Sequence, residues 1–410
     1  MNGFKSNWPI EQLGNICKTG AGGTPRKSVS EYYEGGTIPW VLSGEVSQGE
    51  IFSSKKFITE QGLKNSSAKI FPANTVLIAM YGATAGKVGI LRCAAATNQA
   101  VCGIYPNNTT QPEYIFYAML LKQPELVATA TGNAQPNISQ IKIKNTKIPF
   151  PPLPEQKRIV AILDEAFAGI DQAIANTEKN LANTREVFES YLNDIFSIKK
   201  ETASVPLSEI TTCITDGDHS PPPKAPEGIP FITISNINKT SRKIDFSNTF
   251  KVSEDYYNKL KSTRKPQPGD VLFTVTGSYG IPVQVPENIG FCFQRHIGLL
   301  RPDKNISSSW LYYMLLSPLV FRQATEGATG TAQKTVGLRV LRNIRVPRMT
   351  PQKQKTVVKK LDAIWKETKF LESIYQKKLT ALAELKQSIL QKAFTGKLTQ
   401  SPEQELAEVC

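Results

Sequence analysis

Pro149-Phe150-Pro151-Pro152-Leu153-Pro154-Glu155-Gln156-Lys157-Arg158 opens a stretch that runs on to Ser197 with no further proline and one glycine, Gly169. Proline lacks an N–H and clashes with the preceding turn, so the cluster predicts a helix beginning at about Pro154. Apolar or small residues then fall at Ile159, Leu163, Ala166, Ile170, Ala173, Thr177, Leu181, Thr184, Phe188, Tyr191 and Ile195. Steps of four and three alternate, which keeps one stripe against a partner helix. The alternation slips once, at Ala173, Thr177 and Leu181, as a stutter does. Some 40 residues at about 1.5 Å each make a rod on the order of 60 Å long, well beyond the roughly 11-residue average helix.

A second stretch has the same character. Thr350-Pro351-Gln352-Lys353-Gln354-Lys355 leads into a proline-free run with a stripe at Leu361, Ile364, Thr368, Leu371, Tyr375, Leu379, Leu382, Leu385 and Ile389. Its slip is expected at Leu371, Tyr375 and Leu379, matching the first. The two rods are expected to pair with each other, antiparallel.

The resemblance extends upstream of both rods. Pro9-Ile10-Glu11-Gln12-Leu13 is echoed by Pro206-Leu207-Ser208-Glu209-Ile210, and Ile38-Pro39-Trp40-Val41 by Ile229-Pro230-Phe231-Ile232. Gln99 with Gly103 is matched to Gln294 with Gly298, and Ala130-Thr131-Gly132-Asn133-Ala134-Gln135 to Ala328-Thr329-Gly330-Thr331-Ala332-Gln333. Each repeat is the size of a domain, so the pattern is a duplication and not a solenoid. Short β-rich runs alternate with Gly, Pro and Asn turns, and Glu113 to Lys122 and Ser309 to Leu316 read as short helices. The fold class is therefore mixed α/β (α+β), two duplicated globular domains each followed by a long helix. Boundaries fall at 1–150, 151–198, 199–350, 351–398 and a tail at 399–410.

Length supports that count, because 410 residues exceed what one hydrophobic core organises. Lysine and arginine number 49 against 35 acidic residues, a net charge of +14, which suggests a polyanionic partner. No run of 18 apolar residues and no signal-like start are present, so a cytoplasmic (cytosolic) location, and hence nucleic acid, is expected. Six scattered cysteines without a Cys-x-x-Cys pair read as reduced thiols, and the two histidines make no metal set.

Catalytic motifs fail on inspection. Gly82-Ala83-Thr84-Ala85-Gly86-Lys87-Val88 is one residue short of a phosphate-binding loop and has Val88 where a Ser or Thr must hold magnesium. Gly20-Ala21-Gly22-Gly23-Thr24-Pro25 has a proline where a dinucleotide fingerprint needs glycine. Both read as loops. No Asn-Pro-Pro-aromatic motif for amino-methylation occurs, so no residue is assigned a catalytic, cofactor or metal role. Candidate DNA contacts are the polar residues of matching loops: Thr24, Arg26, Lys27, Ser43, Glu45, Tyr81, Lys87, Asn98, Gln99, Asn133 and Gln135 in the first half. The second half contributes His219, Ser235, Asn236, Lys239, Thr276, Ser278, Tyr279, Gln294, Arg295, Gln333 and Lys334. Arg, Asn and Gln make bidentate bonds to base edges, while Lys, Ser, Thr and Tyr serve phosphates or single edges.

Taken together, the chain resembles the DNA-specificity subunit of Type I restriction-modification systems, a resemblance running from about Trp8 to Leu398. It rests on Gly22-Gly23-Thr24-Pro25, Gly36 to Val41, Phe71 to Val88, Pro151 to Val160 and Leu390-Gln391-Lys392-Ala393-Phe394-Thr395-Gly396-Lys397-Leu398. In the second half His219-Ser220-Pro221-Pro222 replaces the Gly-Gly-Thr-Pro opening. The resemblance implies a non-enzymatic reader of double-stranded DNA, with each target-recognition domain taking half of a bipartite asymmetric site and the coiled coil fixing the spacer. It also implies two methyltransferase subunits as partners, and restriction subunits in the full complex. S-adenosylmethionine, ATP and Mg would belong to those partners, with no cofactor in this chain. The rival readings are a self-contained DNA methyltransferase and a coiled-coil scaffold that binds anions without sequence preference.

Overall fold

The computed structural model describes residues 8–131, 136–198, 203–331 and 333–399. They pack as two compact units. One joins the residues up to Asn176 with those from Lys378 onward, and the other is Thr177–Lys377.

In the first unit a five-stranded sheet runs in the order Thr19–Ala21, Val101–Ile104, Val76–Ala79, Val88–Leu91, Glu50–Ile51, and a four-stranded sheet in the order Phe57–Ile58, Ile38–Val41, Ala95–Thr97, Ile70–Phe71. Successive side chains of a strand point to opposite faces, and here both faces are covered. Val76 and Ile78 face a core shared with the helix Pro112–Ala128 and the long helices. Leu77 and Ala79 face a second core with Val41, Phe71 and Ala95 of the other sheet. That is why Val76–Ala79 reads as an unbroken apolar run. The strand Lys147–Pro149 pairs antiparallel with Ile10–Gln12 and so brings the chain back to its start before the first long helix.

The second unit repeats this plan. Its sheet Thr211–Asp216, Ile297–Pro302, Val271–Thr274, Pro282–Gln284 lies between one core with the helices and another with Ile232, Phe291 and Phe293. Ser204–Pro206 pairs with Arg345–Pro347 as the first unit's terminal strands do. The one helix Pro112–Ala128, which carries Pro124 without a break, becomes two, Ser308–Leu316 and Pro318–Glu326, where Ser317 ahead of Pro318 is extended. Of the two glycine-rich segments read as loops, Gly82–Thr84 is a turn joining Val76–Ala79 to Val88–Leu91, as Gly277 to Gly280 joins Val271–Thr274 to Pro282–Gln284 in the second unit, whereas Gly20 and Ala21 belong to the strand Thr19–Ala21 and the loop begins only at Gly22.

The long helices are Leu153–Phe196 and Pro351–Phe394, 44 residues each. In each unit their segments run antiparallel. Lys386 meets Asp171 at 2.7 Å in the first, and in the second Arg185 meets Glu372 at 2.8 Å while Phe188 packs on Trp365 with ring centroids 4.8 Å apart. Every residue of the stripe from Ile159 to Ile195 is buried or half-buried. Near the ends a second row, with Val160 and Phe167 or Leu192 and Phe196, is buried as well, since there the helix faces a domain and its partner helix together. The C-terminal stripe needs a correction. Leu371 and Leu385 are exposed, and the seam passes instead through Glu372 and Lys386, which pair across it with Arg185 and Asp171. Its double step of four therefore falls at Ile364, Thr368 and Glu372.

A buried glutamine seats each helix on its domain. Gln156 accepts a hydrogen bond from the Gln111 N–H at 2.9 Å and donates to the carbonyls of Thr109 and Pro151. Gln354 accepts from the Ser307 N–H at 2.8 Å and donates to Asn305 and Met349. Two turns later Tyr117 donates to Asp164 at 2.5 Å, and Tyr313 to Asp362 at 2.7 Å. At the far ends Phe394 packs on Tyr114 and Phe196 on Trp310, all four buried.

Candidate nucleic-acid interface

In the first domain the turn Asn98-Gln99-Ala100 carries the chain from one sheet to the other. Its backbone is fixed by Asn98 N–H to Val41 O (3.1 Å), Val101 N–H to Asn98 O (3.2 Å) and Met80 N–H to Ala100 O (2.7 Å). The same three bonds recur in the second domain as Gln294 to Ile232 (3.0 Å), Ile297 to Gln294 (3.1 Å) and Val275 to His296 (2.9 Å). The equivalent residues are therefore Asn98 and Gln294, Gln99 and Arg295, Ala100 and His296. This shifts by one the sequence match that set Gln99 against Gln294.

The glycine-rich loop packs against this turn. A Cβ on Gly22 would overlap the carbonyls of Thr97 and Asn98, and one on Gly217 that of Phe293. Gly23 and Asp218 donate to Thr97 and Phe293, each at 2.9 Å. Gly217-Asp218-His219-Ser220 is thus the counterpart of Gly22-Gly23-Thr24-Pro25, which places His219 where the first domain has Thr24.

Four predicted contacts meet in the first domain. Thr24, Lys27, Asn98 and Gln99 line a cleft of about 400 Å³ together with Tyr33, Trp40, Leu42 and Lys56. The Thr24 hydroxyl donates to Gln99 Oε1, and Trp40 Nε1 donates to the Gly23 carbonyl at 3.1 Å, holding the loop to the sheet. Tyr33 donates to the Pro25 carbonyl at 2.5 Å, and burial raises its pKa. Among the described residues Asn98 Oδ1 is buried with no hydrogen-bond partner, which costs about 1–3 kcal/mol. Arg26 extends the loop, exposed.

In the second domain Arg295 is exposed, and its N–H donates to the Asp218 carbonyl at 3.0 Å. Burial first, and the Arg295 guanidinium second, hold the pKa of His296 below the usual histidine value. Exposed His219 bonds Asp216 at 3.0 Å. Arg264 lies 3.7 Å from both Asp216 and Asp218, and Tyr256 donates to Asp218 at 2.8 Å, so the acidic groups near the turn have partners within the domain.

Other candidates lie elsewhere. Glu45 is buried and accepts from the Leu42 and Lys55 N–H groups, both at 2.9 Å, and from Ser54. Asn236, its counterpart, accepts from Thr233 and donates to the Asp245 and Asn248 carbonyls. Both side chains are spent on shaping a turn. Ser43 is half-buried at the start of the first of these turns, and exposed Ser235 bonds Thr233 at 2.7 Å in the second. Thr276 is buried against Thr335, and Ser278 accepts Thr274 through its carbonyl. Tyr81, Lys87, Gln333 and Lys334 are exposed around the strand-joining turns. Lys239 and Tyr279 line a separate cavity of about 570 Å³ beside Phe188 and Trp365 of the long helices. Asn133 and Gln135 lie outside the described residues.

Sequence reading missed Tyr33, Trp40 and Lys56. Trp40 stands out in the sequence only as part of the repeated segment Ile38-Pro39-Trp40-Val41. It also missed Arg242, whose positive φ of 50° and guanidinium 5.4 Å over the Trp365 ring carry no one-dimensional signal.

Among the described residues no helix is long and apolar enough to cross a membrane. The Type I restriction modification DNA specificity domain matches the chain twice, over residues 5–182 and 189–380. The specificity subunit of the Type I restriction enzyme EcoR124I/EcoR124II of Escherichia coli is 30% identical over 198 residues, 47% of this chain and 49% of that protein. The chain thus spans about half the length of that relative. The MjaVIII specificity subunit of Methanocaldococcus jannaschii is 25% identical over 97% of this chain and 95% of its own. In fold, the chain is similar at a TM-score of 0.77 and 22% identity to a chain from work on complex assembly and conformational transition of the type I R-M system, covering 97% of this chain and 100% of that one. Against the HsdS subunit from Thermoanaerobacter tengcongensis the TM-score is 0.52 at 20% identity, covering 95% and 97%. With two domains on one backbone plan, each matched by the same family model, the chain belongs to the Type I restriction-modification DNA specificity family.

Proposed function

We propose that this chain is the non-catalytic DNA-reading subunit of a Type I restriction-modification complex, in which each domain reads one half of a bipartite asymmetric site. The observation that carries the reading is the repeated turn: one backbone frame presents Asn98 and Gln99 in one domain and Gln294 and Arg295 in the other. Equal frames with unequal polar side chains are what two different half-sites require. The net charge of +14 supplies attraction to phosphates.

The paired helices fix the spacer and dock the methyltransferase subunits. Exposed Phe370 and Ile374, one turn apart on the C-terminal helix, and exposed Val187 support a docking role. S-adenosylmethionine, ATP and Mg are assigned to the partner subunits.

Selection of a randomised duplex library by the chain with its methyltransferase partner should enrich two short motifs separated by a fixed unspecific gap. Enrichment of one continuous site, or of none, overturns the reading.

A further inference from the structure

The geometry points to a base assignment at one position of each half-site: Arg295 reads a guanine and Gln99 an adenine, from equivalent places on the repeated turn. This inference rests on the DNA-reading function proposed above and adds the chemistry of what is read.

Three observations carry it. Equivalence comes first, since the main-chain bonds that fix the two turns match one for one. Whatever DNA geometry brings a base edge to one turn position brings a base edge to its counterpart, so the two side chains do the same task with different chemistry.

Exposure on a rigid base comes second. Arg295 and Gln99 are exposed, while strands on both sides of each turn are buried. The nearby acidic groups, Asp216 and Asp218, are already engaged by His219, Arg264 and Tyr256. Arg295 itself takes no ion pair among those formed by the described residues. A planar guanidinium offers a fork of donors that matches O6 and N7 of guanine.

Orientation of the amide comes third. The Thr24 hydroxyl donates to Gln99 Oε1, an arrangement that leaves Oε1 a second lone pair and Nε2 both of its donors. One acceptor beside one donor is the pattern that pairs with N6 and N7 of adenine. Lys27 and Lys56 in the same cleft suit the flanking phosphates.

The test is selection of a randomised duplex library by the full chain with its methyltransferase partner, comparing wild type, Arg295→Gln, Arg295→Lys and Gln99→Arg. Arg295→Gln should lower the preference for guanine at one position of one half-site roughly ten- to hundredfold, with the other half-site and the spacer intact. Arg295→Lys should keep affinity for phosphate yet lose most of that preference, because an ammonium is a point charge without the fork. Gln99→Arg should convert adenine to guanine in the opposite half-site. The inference is overturned if Arg295→Gln weakens all sequences equally, as loss of a phosphate contact does, or if Arg295 and Gln99 variants alter the same half-site. If wild type enriches no bipartite site, the DNA-reading function itself fails, a result separable from failure of the base assignment. All three substitutions are at exposed turn positions, and unchanged thermal melting verifies that the variants are folded.

Discussion

Set side by side, the two domains agree where they meet the long helices and differ at the exposed turn. Gln156 and Gln354 make the same three hydrogen bonds, and Tyr117–Asp164 is mirrored by Tyr313–Asp362. At the turn the frame is kept and the side chains are exchanged. Buried contacts with exact geometric demands tolerate little change, whereas an exposed side chain on a fixed frame is free to vary. A duplicated domain can thereby acquire a second specificity without being refolded.

If that equivalence is real, paired substitutions must cost alike. The largest effect is expected from Phe394→Ala and Phe196→Ala. Each removes a fully buried ring, from Tyr114 in one case and from Trp310 in the other, and each should destabilise its unit by about 3–5 kcal/mol. Denaturant unfolding of the full chain measures both, and a cost in one but not the other breaks the comparison.

Next come Gln156→Ala and Gln354→Ala, each of which strands one backbone N–H and two carbonyls at the helix entrance. A loss of about 2–3 kcal/mol is expected for either, and hydrogen exchange should show faster opening of the first helical turn in that unit only. Uniform acceleration across both units would contradict the local role.

The smallest effect sharpens the seam. Burial raises the Glu372 pKa, but Lys369 and Arg185 outweigh it and leave the carboxyl below its ordinary value. A depressed folded pKa contributes stability above the unfolded pKa, and that stability is lost as pH falls through the folded one. Melting in the acid range should therefore fall less steeply for Glu372→Gln than for wild type, with a difference near neutral pH of at most about 1 kcal/mol. Equal slopes would show that the ion pair does not hold the seam.

Much of this was legible in the sequence. The duplication, both long helices and the first stripe follow from periodicity and proline placement. The C-terminal seam did not, because Leu371 is more apolar than Glu372 and only the position of Arg185 on the other helix makes the glutamate the better seam residue. Thr24, Lys27, Asn98 and Gln99, which line one cleft, stood out as candidates because polar loops fall at matching places in both halves. Trp40 did not, since an aromatic inside a strand reads as core, and Tyr33, just past the short helical turn Ser30–Tyr32, stands in no repeated motif. Glu45 and Asn236 carry the residue types of a contact, yet three-residue spacing to a backbone N–H turns them inward as caps.

One feature of the packing bears on the order in which the protein is made. The second unit is a single run of chain, Thr177–Lys377, whereas the core of the first contains Leu390, Ala393 and Phe394 beside Leu13 and Tyr114. During synthesis the domain that emerges first is the last to be completed. It must wait for Leu390 to Phe394, holding an apolar surface open, while the later domain closes ahead of it. Chains cut short before Leu390 would keep the second unit and lose part of the core of the first, so an intact first domain reports that synthesis has passed Phe394.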